Sequence, residues 1–157
     1  MFKRWWIGLY ILLIYTTIPF GKYLIPIVSK LKLVENFLIV LLFAGLLFYS
    51  LYIRKLDKII FSLIVIIIFS YLIFSLKLPE ERIHYLEYGI LGFMVFKSMK
   101  VHSIKNLIYG SLFVLLIGVI DEIIQYLLPN RVGDIRDVFM NLGGGILGIW
   151  YGKILSS

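Results

Sequence analysis

Eleven polar side chains in the second half of the chain are of types that do chemistry, and their spacing groups them. His84, Glu87 and Tyr88 stand at i, i+3 and i+4, so a helix would carry them on one face. Asp121 with Gln125 and Glu122 with Gln125 repeat those intervals, and Asp137 with Asn141 repeats the second. Arg82, Arg131 and Arg136 flank the groups. Histidine is the one side chain among these whose unperturbed pKa lies near neutrality, so His84 is the candidate general base or nucleophile. Glu87, Asp121, Glu122 and Asp137 could orient that imidazole or hold Mg²⁺ or Ca²⁺ through oxygen, which leaves a metal open. Guanidinium forks match phosphate oxygens, which makes Arg131 and Arg136 candidate anion contacts. Arg82, Tyr88, Gln125 and Asn141 complete the candidate substrate-binding set. The chain has no cysteine, which excludes thiol nucleophiles and thiolate metal sites.

These residues must be held by helices in lipid. Of 157 residues, 61% are hydrophobic and 16% charged, with a mean hydropathy of +0.98. Soluble domains run at about 45–50% apolar and about 25% charged, so a water-soluble fold is excluded. A helical span takes about 20 apolar residues, which allows at most about six here. The net charge of +7 lies in short clusters between apolar runs, as topogenic charges do. No basic face interleaved with aromatics exists for nucleic acid.

The expected fold is all-α: a polytopic transmembrane bundle of about six spans, five being the other count. The first, Trp5 to Phe20, has tryptophan anchors and no small-residue cleavage site, and reads as a retained span. Lys22 to Lys32, around Pro26, reads as a loop. Glu35 to Ile53 and Ile59 to Leu76 are the second and third spans, joined by a basic turn from Arg54 to Lys58. The fourth covers Ile83 to Phe96, after Glu80-Glu81 as a solvated helix start; the fifth covers Ile104 to Leu128, and the sixth Val138 to Ile154. His102 falls in a basic loop and reads as solvated. Tyrosines and phenylalanines are lipid-facing or interfacial by default. Residues 1–56 form a two-span scaffold and 57–157 a four-span domain.

If the fourth and fifth segments each cross once, the start of the fourth, the end of the fifth and the start of the sixth share one side. The polar residues then lie within about 10 Å of one surface, at about 1.5 Å rise per residue. With an inside N-terminus, nine basic residues fall inside (Lys3, Arg4, Arg54, Lys55, Lys58, Lys97, Lys100, Lys105, Lys153) against seven outside, which favours a cytoplasmic N-terminus and an extracytoplasmic polar layer. Asp134, Asp137, Asn141, Gly144, Gly148 and Gly152 form one stripe whose small residues admit a neighbouring helix. Gly89 and Gly92 could serve similarly on the fourth. Asp134 also suits an N-cap. The GGG at 143–145 lacks a following Lys-Ser/Thr and is no phosphate loop. Ionised groups in a span cost about 2.5–3.5 kcal/mol each unless they pair or face water. The cluster is therefore either a hydrated functional cavity or a set of structural pairs in which Arg131 and Arg136 neutralise Asp121, Glu122 or Glu87.

The blocks PEERIHYLEYGILGF and DEIIQYLLPNRVGDIRDVFMNLGGGILG resemble the VanZ-like family of bacterial membrane proteins. Members show Lys/Arg-x-x-His-x-x-x-Tyr, then Asp-Glu-x-x-Gln, Pro-Gly/Asn-Arg and Asp-x-x-x-Asn before small residues. His84, Tyr88, Asp121, Glu122, Gln125, Pro129, Arg131, Asp137, Asn141 and Gly144 fill those positions, over roughly residues 70–152. Arg82 precedes His84 by two positions instead of three, and an acid, Glu87, precedes the tyrosine. The resemblance implies a cell-envelope protein associated with glycopeptide resistance of the teicoplanin type. A distant similarity of the family to lipid head-group enzymes, including phosphatidylserine synthases, implies chemistry on a lipid-linked phosphate. The expected partners are the bilayer and a phospholipid or lipid-linked cell-wall precursor. Three functions follow: a head-group or phosphoryl transferase or hydrolase, a non-enzymatic binder of such a precursor, and a proton-coupled transporter. The last is disfavoured because the polar groups cluster at one surface.

Overall fold

Apolar runs without water must satisfy their backbone groups internally, and helices do so segment by segment. The computed structural model describes residues 4–20, 23, 27, 30, 32–52, 55–99, 103–129, 131 and 133–156. Among the described residues there are six α-helices and no strand: α1 Arg4–Thr17, α2 Lys32–Tyr52, α3 Leu56–Ser75, α4 Pro79–Ser98, α5 Ile104–Leu127 and α6 Ile135–Ile154. The expectations for Lys3, Lys22, Pro26, Arg54, Lys100 and His102 lie outside the described residues. Of the stretch expected as a loop, Tyr23, Ile27 and Lys30 are described, and each has helical backbone.

The starts of α2, α3, α4 and α6 lie three or four residues earlier than the hydropathy pattern places them, and in α4 and α6 polar groups at the helix start accompany the extension beyond the apolar run. Pro79 occupies the first turn of α4, where its missing N–H is no loss, and the Leu78 N–H donates to Glu81 Oε2 at 3.4 Å. Asp134 caps α6, accepting from the Arg136 N–H at 2.8 Å. Ser103 does the same for α5 through the Asn106 N–H at 3.3 Å.

By length and hydropathy two helices among the described residues qualify as membrane spans, Leu56–Ser75 and Ile104–Leu127; the apolar parts of α1 and α2 are shorter. A bundle crossing six times is thus more than these criteria establish. The reason in α4 and α6 is composition. Glu81, Arg82, His84 and Glu87 interrupt the first, and glycines dilute the second.

The most extensive helix contact joins α4 to α6, and α5 packs next most closely on α6. Glycine sets the first of these. A Cβ on Gly148 would collide with the carbonyl of Gly89, and one on Gly92 with the backbone of Gly145. The paired glycines on α4 and α6 therefore act as the small-residue pattern predicts. The α4–α6 wall separates two apolar cores. One gathers Ile7 and Ile14 of α1 with Tyr88, Leu91, Val95, Phe96, Val114, Ile117 and Ile149. The other gathers Ile39 and Phe43 of α2 and Ile66, Phe69 and Ile73 of α3 with Tyr85, Tyr151 and Leu155. Phe69 meets Phe43 and Tyr85 edge-on, at 5.6 and 5.1 Å between ring centroids.

Several tyrosines depart from the lipid-facing default. Tyr10 donates to the Glu87 carbonyl at 3.2 Å and Tyr15 to the Ile117 carbonyl at 3.1 Å, pinning α1 to α4 and α5. Tyr151 donates to the Leu46 carbonyl at 2.8 Å, tying α6 to α2. A phenol in an apolar surrounding turns toward any carbonyl it can reach, since leaving the hydroxyl unbonded is costly. Trp5 and Trp6 stay half-exposed and stacked at 4.0 Å, as interfacial anchors would be.

Candidate functional site

The site is built at one end of the α4–α5–α6 group, from the first turns of α4 and α6 and the last turns of α5. Asp121 is fully buried. It accepts from the Tyr88 hydroxyl at 3.0 Å and from Gln125 Nε2 at 3.4 Å. His84 Nδ1 lies 3.6 Å from the same carboxylate and 3.9 Å from Glu87 Oε2, so the imidazole is bracketed by two acids. Glu122 accepts from Gln125 Nε2 at 3.2 Å and from the Asp134 N–H at 2.9 Å, which binds the α5–α6 connection back onto α5. Gly133 makes this possible, because a Cβ there would strike the Glu122 carbonyl at 2.6 Å. Asp137, half-buried, lies within electrostatic range of His84 and Glu122. Asn141, fully buried one turn deeper on α6, sits against Gly118 of α5, which the Tyr88 ring also approaches.

Most of the expected residues therefore meet, and three helices supply them. The arginines divide. Arg82 is buried away from the imidazole: its Nε and Nη2 donate to the Leu76 carbonyl at 3.0 and 2.9 Å, and Nη1 to Asn36 Oδ1 at 3.3 Å. It closes the end of α3 and joins it to α2. Arg136, 61% exposed, is ion-paired with Glu81 and lies 4.0 Å from Asp137. Among the described residues neither Arg131 nor Arg136 pairs with Asp121, Glu122 or Glu87, the pairs that pure scaffolding would require. Arg131 makes no ion pair with a described residue, and its Nε is buried without a partner.

Glu81 is no solvated helix start. It is 7% exposed, caps α4 and holds Arg136. A helix beginning at Pro79 puts Glu81 three residues before His84 on one face, and that spacing was its available signal. Tyr10 and Tyr15 fasten the first helix over the α4–α5 seam. A lone tyrosine in an apolar run carries no mark of this.

Among the described residues six buried side-chain atoms lack a hydrogen-bond partner, and five belong to expected site residues: His84 Nδ1, Arg131 Nε, Asp137 Oδ1 and both amide atoms of Asn141. Buried polar groups nearly always find partners, so their concentration here marks a place built to receive polar atoms. Among the described residues no three His, Asp or Glu side chains converge as metal ligands. The carboxylates face hydrogen-bond donors and not a common centre, so no step is routed through Mg²⁺ or Ca²⁺. An apolar cleft of about 90 Å³, lined by Phe43, Phe69, Phe93 and Tyr151, opens elsewhere, between α2, α3, α4 and α6.

With this geometry in place, the comparison with known families becomes informative. Residues 80–156, which make up α4 to α6 with their connections, match the VanZ/LLP1 family model. That segment is VanZ-like. The VanZ-like segment is thus the segment that contains His84, Asp121, Asp137 and Asn141, while α1 to α3 lie outside it. No curated protein and no solved structure matches the chain. The VanZ-like segment and the two apolar helices point to a membrane protein.

Proposed function

We propose that this VanZ-like protein is a multi-pass protein of the cell membrane, with a cytoplasmic N-terminus, whose polar pocket near the extracytoplasmic face binds or modifies a lipid-linked phosphate. Its biological setting is glycopeptide resistance of the teicoplanin type. One observation carries the reading: a histidine bracketed by carboxylates from α4 and α5 has its Nδ1 buried and unpartnered, and the segment 131–141 adds four more buried, unpartnered polar atoms. In the enzymatic form, a head-group or phosphoryl transferase or hydrolase, His84 takes the proton of the attacking hydroxyl or water as its oxygen bonds to phosphorus, and the imidazolium returns that proton to the alkoxide that leaves as the ester P–O bond breaks, while Asp121 and Glu87 hold the imidazole in orientation. Arg131 receives the phosphate.

The non-enzymatic form, a binder of a lipid-linked cell-wall precursor, is favoured by the engagement of Arg82 and Arg136 elsewhere, which leaves one guanidinium for the anion. The two are separated by His84→Ala. A transferase loses teicoplanin resistance in cells by at least about a hundredfold in rate, the usual effect of removing a general base, while membrane expression is unchanged. Resistance retained in full by that variant removes the enzymatic form. Loss of resistance with Arg131→Gln and not with His84→Ala identifies the binder.

A further inference from the structure

The end of the bundle opposite His84 is basic, and it adjoins the apolar cleft. Lys58, in the first turn of α3, is 9% exposed and makes no hydrogen bond or ion pair with a described residue. Lys97, in the last turn of α4, lies within electrostatic range of it. The Lys97 ammonium donates to Ser156 Oγ at 3.0 Å and stands 6.0 Å from the ring centroid of Phe93, which lines the cleft. Lysines at helix ends normally extend to water, as the exposed Lys55 does; Lys58 is packed inward instead. Of the nine acidic residues, Asp57 alone belongs to this end by its place in the helices. Its side chain is exposed and has no ion pair with a described residue. Like charges held together away from water are costly unless an opposite charge reaches them.

A second observation is Ser62, one turn deeper on the same face of α3. Ser50, Ser75, Ser98 and Ser111 return their hydroxyls to the carbonyl three or four residues back. Ser62 Oγ is fully buried and unbonded. One turn deeper again, Ile66 lines the cleft. The buried stripe of α3 thus runs ammonium, hydroxyl, apolar wall, in steps of about 6 Å. On α4, Lys97 and Phe93 repeat its two ends one turn apart. A phospholipid presents the complementary order: phosphate, ester carbonyl, acyl chain. Apolar cavities exclude water and accept apolar guests.

From this we infer a second lipid site, for a phospholipid of net negative charge such as phosphatidylglycerol. Its phosphate accepts from Lys58 and Lys97, an ester carbonyl accepts from Ser62, and one acyl chain lies in the cleft between α2, α3, α4 and α6. A zwitterionic head group fits worse, because its ammonium would meet two lysines and no buried acid among the described residues. The site shares no residue with the His84 pocket and stands independently of the function proposed for that pocket.

The test is lipid competition on the purified full-length chain, read by native mass spectrometry with equimolar phosphatidylglycerol and phosphatidylethanolamine. Retention of phosphatidylglycerol is expected to exceed that of phosphatidylethanolamine by roughly tenfold, the effect of one charge-assisted hydrogen bond. Lys58→Gln and Lys97→Gln should each remove most of that preference. Lys97→Arg keeps the charge and should keep the preference, which separates lost charge from misfolding. Ile90→Trp, placed where an exposed residue lines the cleft, should weaken both lipids alike. Arg131→Gln should leave the preference intact. Equal retention of the two lipids, or a preference that survives both glutamine variants, overturns the inference. Loss of the preference in Arg131→Gln moves the lipid to the His84 end and overturns it as well. If excess inorganic phosphate displaces phosphatidylglycerol while Ile90→Trp has no effect, the lysines hold a free anion and the acyl-chain assignment falls.

Discussion

The arginines show how far a residue type is from a role. All three candidate guanidiniums match phosphate chemically, yet Arg82 is consumed by the end of α3 and Arg136 by Glu81. The Glu81–Arg136 pair is half in water on the arginine side, and such pairs contribute little. Glu81→Gln and Arg136→Gln should each lower stability by under about 1 kcal/mol, discounted for solvent screening at the 61% exposed arginine. The double substitution should cost little more than either alone, because the two report one interaction. Chemical denaturation in detergent measures all three. Costs that simply add would mean that the pair is not coupled. Tyr88 is a sharper case. Its hydroxyl is the donor holding Asp121 beside His84, so Tyr88→Phe should cost about 1–3 kcal/mol by leaving a buried carboxylate short of a partner.

At the scale of elements, the α4–α6 contact carries the site, since these two helices contribute His84, Glu87, Asp137 and Asn141. Gly148→Ala places a methyl against the Gly89 carbonyl, and the backbones must part to admit it. The expected cost is about 1–3 kcal/mol, typical of overpacking, with loss of any site function as Asn141 moves relative to Tyr88. Gly8→Ala and Gly45→Ala meet nothing within 4 Å. These should be neutral or gain up to about 1 kcal/mol from helix propensity. A Gly148→Ala protein as stable as the parent would show that α4 and α6 do not pack through these glycines. Element ends were the less legible part of the sequence. The hydropathy pattern places α6 at Val138, but Asp134 caps it so that it starts at Ile135. Apolar periodicity reports where a helix is greasy, and the cap decides where its hydrogen bonds begin.

For the whole molecule the open quantity is how many times the chain crosses and in which direction. The absence of cysteine makes single-cysteine labelling clean. If the chain crosses six times with its N-terminus inside, Pro129→Cys should react with a membrane-impermeant thiol reagent in intact cells, and Ser156→Cys only after lysis. Pro129 is exposed between α5 and α6 and Ser156 follows α6, at opposite ends of that helix. The reverse pattern inverts the topology. Reaction at both positions in intact cells would mean that α6 does not cross. The basic residues near the Ser156 end, with Lys97 bonded to Ser156 at 3.0 Å and Lys58 buried close by, agree with a cytoplasmic surface there.

The amino-acid sequence by itself determined the apolar character of the chain, its six main helices and the end of the α4–α5–α6 group at which the polar residues collect. Each of these depends on composition or on spacing along one helix: apolar fraction, unbroken runs, and intervals of three and four. It also marked the glycines of α6 as a packing stripe, because small side chains at that period have one use in lipid. Only the tertiary structure decided which polar groups face each other. The fates of Arg82, Arg136 and Glu81, the pinning of α1 by Tyr10 and Tyr15, and the grouping of unpartnered atoms around His84 and Asn141 all depend on rotations and tilts between helices. Those angles follow from glycine-to-backbone contacts accurate to fractions of an ångström, and no pattern within a single helix encodes the face that its neighbour presents.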